Sequence, residues 1–368
     1  MTPGSGGDAS ADAPLSRTVR ASVEHDRTRL DLFVAALPEI EHSRSAITRM
    51  IKAGRVLLNG MPAPRPSEIV RAGDVIEILA PPMPDVPQSP DTADAPSIDV
   101  LFADAEIIVV AKPAGMAAHP APGSSTGTLV HAVLARFPEL AAMAEPDGVM
   151  RPGIVHRLDK QTSGVMVIAR TPFARMGLAR QFKDRTVRKT YLAIVRGIVA
   201  RDAVTIVRPI GRHPTERKRM SVGARVAREA TTEAVVLARF TPGTGPDRGA
   251  GKDAEGATLL RARPLTGRTH QIRVHFASIG HPCLGDAIYG GKGSGVDASH
   301  GFERQALHAL ALSIDHPRSG ERLEFIAPLP ADMSDFLTAH AIAIDAKMIR
   351  QWIDYEAAAS ARANIVHR

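Results

Sequence analysis

One segment divides this chain before any motif is read. Residues 81–97, PPMPDVPQSPDTADAPS, hold prolines, turn formers and acids with almost no large apolar side chain. Such a stretch cannot bury enough surface to offset its own ordering, so it reads as a semi-rigid linker and a domain boundary. A chain of 368 residues cut there is long enough for a separate core on each side. The expected organisation is a disordered leader at 1–16, a small unit at 17–80, the linker, a main domain at 98–330 and a tail at 331–368.

Composition narrows the function classes. Apolar residues make up 44% and charged residues 23%, the balance of a soluble globular protein. No run approaches the ~18 uninterrupted apolar residues of a membrane span. The leader, MTPGSGGDASADAPLSR, lacks the basic start and apolar block of a secretory signal. The single cysteine, Cys283, excludes an intramolecular disulfide and a zinc site built from several thiolates, which points to the cytoplasm. It is expected to be a small buried hydrophobe. A net charge of +7 suits a polyphosphate partner, though many basic proteins bind none. Aromatic residues are only 4%, so the chain cannot be lined with base-stacking rings. Recognition by charge and RNA shape, with one nucleotide handled individually, fits that composition better.

In the small unit, Leu30, Phe33, Val34 and Leu37 recur at helical spacing before Pro38. A second helix is capped by Ser43, buries Ile47, Met50 and Ile51, and closes at Gly54. Val56–Leu58 followed by Asn59-Gly60 predicts a strand entering a tight turn, and Gly73-Asp74 precedes a strand at 75–79. In the main domain, apolar runs at 107–111, 165–169, 191–195, 233–238, 258–262 and 323–326 alternate irregularly with helical patterns at 128–136 and 173–183. That pattern predicts an α+β fold with a mixed, largely antiparallel central sheet. Residues 241–256, TPGTGPDRGAGKDAEG, read as a surface insertion, and the tail has modest helical character.

The chemistry concentrates in RPGIVHRLDKQTSGVMVIAR, residues 151–170. Asp159 stands between Arg157 and Lys160 on a short polar loop that leads into an apolar strand. Neighbouring cations favour a carboxylate's charged form, and a charged, positioned aspartate is a nucleophile or base. An isolated triplet of this kind is usually a surface ion pair. Further on, Gln271, Arg273 and His275 alternate with Ile272, Val274 and Phe276, as if on opposite faces of a strand. Arg212, Arg217, Lys218 and Arg219 cluster on an expected hairpin tip. GGKGSG at 290–295 lacks phosphate-loop spacing, and neither HExxH nor paired cysteines occur, so no metal and no cofactor is expected.

These strings resemble, in order, the motifs of the RluA/RluD-type pseudouridine synthases. The resemblance covers most of residues 20–330: IIVVAKPAGMAAHPAPG (107–123), the Asp159 string, VRKTYLAIVRG (187–197), RPLTGRTHQIRVHFASIGHPCLGDAIYG (263–290) and RQALHALALSIDHPRSGE (304–321). It implies that Asp159 is the essential residue, that Arg273 pairs with it, and that Tyr191 stacks on the target base and is a candidate for proton transfer. It implies that Arg157 fills the gap left by a flipped base, and that the loop bearing Arg212, Arg217 and Lys218 grips RNA. Residues 29–60 resemble the alpha-L RNA-binding module, which implies an RNA-facing surface of Arg44, Arg49, Lys52 and Arg55. Lys112 is read as a phosphate contact or a structural turn rather than a Schiff-base lysine, and His308 as structural. Lys160 has no assigned role.

The reading is a monomeric cytoplasmic enzyme that isomerises uridine in RNA, with large-subunit ribosomal RNA as the favoured substrate. Transfer RNA, or a non-catalytic RNA-binding role in ribosome assembly, remain the alternatives. The sequence leaves open whether Asp159 attacks the sugar, attacks the ring or deprotonates the ribose.

Overall fold

The structure is a computed structural model describing residues 15–37, 44–79, 96–120, 124, 126–143, 152–216, 219–241, 256–291, 301–354 and 364–367. Its first unit runs β1 (Leu15–Arg20), β2 (Thr28–Arg29), α1 (Leu30–Ala36), α2 (Arg44–Lys52), β3 (Val56–Leu58), β4 (Met61–Pro62), β5 (Ile69–Val70) and β6 (Val75–Leu79). The sheet order β1-β6-β3-β4 is antiparallel throughout, with a separate β2–β5 ribbon. Leu30, Phe33 and Val34 meet Ile47, Met50 and Ile51 over Val56, Ile76 and Ile78, the buried set that helical spacing predicts. Gly54, at φ +71, ends α2, and the Arg55 amide donates to Met50. This is the left-handed helix stop that glycine makes cheap. Asn59 and Gly60 both adopt positive φ, the requirement of the two-residue hairpin joining β3 to β4. β1 begins at Leu15, inside the expected leader; the rest of the leader, Ser43, most of the linker and most of the 241–256 insertion lie outside the described residues.

The second unit contains β7 (Asp99–Ala103), β8 (Ile107–Lys112), α3 (Leu129–Arg136), β9 (Ser163–Ala169), α4 (Pro172–Asp184), β10 (Arg188–Arg196), β11 (Ala203–Val207), β12 (Ile210–Arg212), β13 (Met220–Ser221) and β14 (Ala227–Arg228). It continues with β15 (Thr231–Phe240), β16 (Ala257–Pro264), α5 (Gln271–Ser278), β17 (Leu307–Asp315), β18 (Arg322–Ile326), α6 (Ala331–Ala339), α7 (Ala346–Asp354) and β19 (Asn364–His367). Ten strands form one sheet, ordered β19-β11-β15-β16-β10-β17-β9-β8-β7 with β18 also on β17. Among the described pairings only β19–β11 and β9–β17 are parallel, so the sheet is mixed and largely antiparallel as expected. β12, β13 and β14 make a small separate sheet beside it.

Alternation along β10 sorts the two faces. Leu192 and Ile194 pack with α6 and α7, while Tyr191, Ala193 and Val195 pack with Ile272 and Phe276 of α5. The segment read as a tail is therefore part of a core: Met333, Phe336, Leu337, Trp352 and Ile353 are buried in the same cluster as Leu259 and Leu310. The strand expected at 271–276 is the helix α5, with all six residues buried. Period two and period 3.6 are distinguished by a wet face, and this segment has none. In the helix, Gln271 and His275 stand one turn apart and both reach Thr232, while Arg273 points elsewhere.

Candidate active site

The loop from His156 to Thr162 is held from three sides. Lys112 ends β8 almost fully buried, and its ammonium donates to the carbonyls of Pro113, Met116 and Lys160 at 2.8, 2.9 and 3.2 Å. Burial pulls its pKa down to about 7, and the neighbouring Asp159 charge opposes that shift. Three carbonyls around one ammonium make it a structural clamp on the residue after Asp159; buried and saturated, it is no phosphate contact. The Thr162 amide donates to the Asp159 carbonyl at 3.0 Å, closing the turn. Below the turn, Ser163 Oγ pairs with His308 Nδ1 at 2.9 Å, which bears out a structural His308. Gly164 has φ +127, and a Cβ there would stand 2.2 Å from the Ala309 carbonyl. Only glycine lets β17 approach this closely, and that approach aims the loop at the sheet's α5 face.

Arg273 meets the loop from α5. Its Nη1 donates to Asp159 Oδ2 at 2.9 Å, while Nε and Nη2 grip Asp286 at 2.7 and 2.8 Å. Asp286 is fully buried, and its Oδ1 also accepts from the amides of Ile288 and Tyr289 at 2.9 and 3.1 Å. Burial opposes its charged form, yet the guanidinium fork and the amides outweigh it and hold the carboxyl below its ordinary range. One buried carboxylate thus anchors the arginine through two N–H groups, and a third reaches the other carboxylate, which is 22% exposed. The Tyr289 ring lies 5.2 Å from the guanidinium carbon, and its hydroxyl sits 2.8 Å from His270 Nδ1.

A cavity of about 510 Å³ opens over this pair. Asp159, Arg157, Tyr191, Lys189, Phe182 and the 264–273 segment line it. Its size falls in the range of pockets that enclose a small ligand. Tyr191 is half-buried; burial, then the Asp159 charge, pushes its phenol above its ordinary value. A phenol held protonated in this way is a ring platform or donor rather than a base. Lys189 donates to the Thr266 carbonyl at 3.1 Å, and burial lowers its pKa to about 8. Cys283 is buried with its thiol pushed up by desolvation, as expected of an inert apolar filler.

The structure brings Asp159, Tyr191, Arg273 and Arg157 together. Arg157 is exposed at the cavity wall. None of the other expected cations whose side chains are described lines that cavity. Arg212 is exposed at the end of β12, and β12 pairs with β13 as the expected hairpin. Arg217 and Lys218 lie outside the described residues. Arg219 donates to Glu216 and faces the Tyr289 ring at 5.6 Å. Lys52 is exposed and Arg49 half-buried on α2, and Arg44 begins that helix with its side chain outside the description. Arg55 is half-buried, with Nε and Nη2 enclosed and without a hydrogen-bond partner among the described residues. Lys160 reaches Ser124 Oγ at 3.1 Å. Asp286, Tyr289 and His270 were missed by reading residues singly, although all three fall in the 263–290 string.

The sequence model of the RNA pseudouridylate synthase family matches residues 106–278, and that of the S4 domain matches residues 28–76. An uncharacterised RNA pseudouridine synthase of Bacillus subtilis, YlyB, is 39% identical over 320 residues, spanning 87% of this chain and 96% of that one. Ribosomal large subunit pseudouridine synthase D of Xylella fastidiosa is 42% identical over 318 residues, spanning 83% and 88%. This chain belongs to the RNA pseudouridine synthases. Among solved structures, human RNA pseudouridylate synthase domain containing 1 superposes with a TM-score of 0.52 at 26% identity, covering 74% of this synthase and 97% of that chain. The synthase is thus an isomerase acting on uridine in RNA, and its first unit is an S4 RNA-binding domain.

Proposed function

We propose that this synthase converts uridine to pseudouridine in large-subunit ribosomal RNA, in the cytoplasm and as a monomer, with Asp159 as the residue that begins the reaction. The observation that carries the reading is the Asp159–Arg273 pair, 2.9 Å apart, inside a cavity also lined by Tyr191. Isomerisation breaks the bond from ribose C1′ to N1 of the base and makes one from C1′ to C5. The C5 proton is released and N1 gains one, so neither oxidant nor metal is required. What is required is a fixed carboxylate and a closed space in which the detached ring can turn. Arg273, itself anchored by Asp286, fixes the carboxylate through Oδ2. Tyr191 supports the ring.

A stacked uridine cannot reach Asp159, so it is flipped out at a cost of a few kcal/mol. Arg157, exposed at the cavity wall, occupies the gap and stacks its planar group there. Lys52, Arg49, Arg55 and Arg44 of the S4 domain, with Arg212, Arg217 and Lys218 of the hairpin, hold the surrounding phosphates. The ribosomal target follows relatives named for large-subunit modification.

Tritium release from [5-³H]uridine transcripts tests this directly. Release from large-subunit rRNA transcripts and none from tRNA transcripts is expected. Mapping pseudouridines in rRNA with and without the gene then finds the site. Release from tRNA alone would overturn the substrate, and release by Asp159→Asn would overturn the site.

A further inference from the structure

His270 is bound into the site by a chain of hydrogen bonds whose directions can be worked out. The Met220 amide donates to the Tyr289 hydroxyl oxygen at 2.9 Å, and that hydroxyl lies 2.8 Å from His270 Nδ1. All groups are satisfied when the phenol accepts from the amide and donates its own proton to Nδ1. Nδ1 is then the acceptor of a neutral imidazole, and the ring proton sits on Nε2. Burial, against the pull of Asp159, disfavours the charged ring. His270 has φ +55, a left-handed conformation uncommon outside glycine, in which histidine is one of the few enriched side chains. A strained residue lining a cavity is a pointer to function.

The Nε2–H faces the cavity beside Asp159, 3.9 Å from Oδ1. That gap is too wide for a hydrogen bond, and Oδ2 is the oxygen that Arg273 holds. Two of the neighbouring side chains are engaged, Arg273 through three of its five N–H groups. Gln271 Nε2 donates to the Thr231 carbonyl and Thr232 Oγ1, and Arg273 gives one N–H to Asp159 and two to Asp286. Among the described residues, Asp159 Oδ1 and the Nε2–H of His270 thus stand side by side, one an open acceptor and the other an open donor.

Resting on the reading of Asp159 above, we propose that His270 is a further catalytic residue, whose Nε2–H hydrogen-bonds to the uracil ring as it leaves the ribose. When the C1′–N1 bond breaks, its electron pair goes to N1 and is shared with the ring carbonyls. The ring carries that negative charge until C5 bonds to C1′. The Nε2–H donor stabilises the charge without giving up its proton, as a placed donor does at a developing oxyanion. A neutral donor suits the task. An imidazolium would pair with Asp159 and compete with the reaction.

The test measures tritium release from large-subunit rRNA transcripts under saturating RNA, with RNA affinity and thermal melting measured in parallel. His270→Ala is expected to lower kcat by roughly 10²-fold, the scale for losing one such donor, with RNA affinity unchanged and melting lowered only slightly by loss of the Tyr289 hydrogen bond. His270→Gln, whose amide nitrogen reaches the Nε2 position, recovers most of that loss, and His270→Asn, tolerant of the backbone but too short, does not. In ¹⁵N spectra of histidine-labelled protein His270 shows the Nε2–H tautomer, and Tyr289→Phe shifts it to a mixture. His270→Ala within about threefold of wild type overturns the proposal, as does His270→Gln no better than Ala. An inactive Asp159→Asn beside an active His270→Ala sinks only the histidine's role, whereas an active Asp159→Asn sinks the underlying site.

Discussion

Arg273 and Lys52 are both cations of an RNA enzyme, and they are built in opposite ways. Arg273 is 4% exposed, with its N–H groups shared between two carboxylates. Lys52 projects from α2 into solvent, and Arg212 does the same from the end of β12. A residue that must place one oxygen to within a fraction of an ångström has to be locked by its surroundings. A residue that follows a phosphate backbone gains from staying hydrated and free until RNA arrives. Arg55 lies between the two, half-buried with two N–H groups enclosed, its pKa lowered by desolvation. Position in the fold, rather than residue type, separates the cation that holds Asp159 from those proposed to collect RNA.

The contrast is tested most severely at the carboxylate. Asp159→Asn is expected to cut tritium release by at least ~10³-fold, the scale of losing a group on which a catalytic unit depends. RNA affinity by filter binding should stay within about twofold. An equal loss of affinity would merge the two classes of residue.

Next comes the anchor. Asp286→Ala leaves Arg273 buried with only Asp159, and breaking such a pair typically costs ~3–5 kcal/mol. Urea unfolding should show that loss, together with loss of turnover. A cost below about 1 kcal/mol, the figure for surface pairs, would mean the site is not held as argued.

A smaller effect comes from acid. Burial depresses His308 from 6.5 to about 3. Between those values the unfolded chain takes up a proton that the folded chain excludes, so stability is lost as pH falls. The slope from this one group approaches ~1.4 kcal/mol per pH unit, or about 2 kcal/mol by pH 5. Urea midpoints at pH 7 and pH 5 measure the sum over buried histidines, His156 among them, and a His308→Gln variant should lose about 2 kcal/mol of the difference.

The smallest changes are expected at the exposed cations. Lys52→Ala or Arg212→Ala should leave melting and saturated kcat unaltered while weakening RNA binding a few-fold. Each should flatten the dependence of log K on log salt by roughly 0.7–0.9. A drop in kcat at saturating RNA would place that residue with Arg273 instead.

Much of this molecule was legible wherever one face of an element meets water. The periodic burial of α1, the Asn59-Gly60 hairpin and the glycine stop at Gly54 follow from local chemistry, and the structure has all three. Asp159, Arg273 and Tyr191 were legible by their motifs. Residues 271–276 were not, because a fully buried hexapeptide carries no period to read. The helices at 331–354 were seen only faintly, since what they bury against is set by β10, β16 and β17.

By itself, then, the sequence determined the two-unit plan and the α+β class and, through its family resemblance, the RNA-binding character of the first unit and the loop aspartate proposed to react. Those properties reside in residue order over short spans: a proline-rich gap, apolar runs, a loop aspartate between cations. The tertiary structure alone decided that Asp286 anchors Arg273 and that Lys112 clamps the loop bearing Asp159. It also decided that Tyr289 orients His270. Each is a contact between groups brought together by strand order and burial, and a hydrogen bond's direction exists only once both partners have a place.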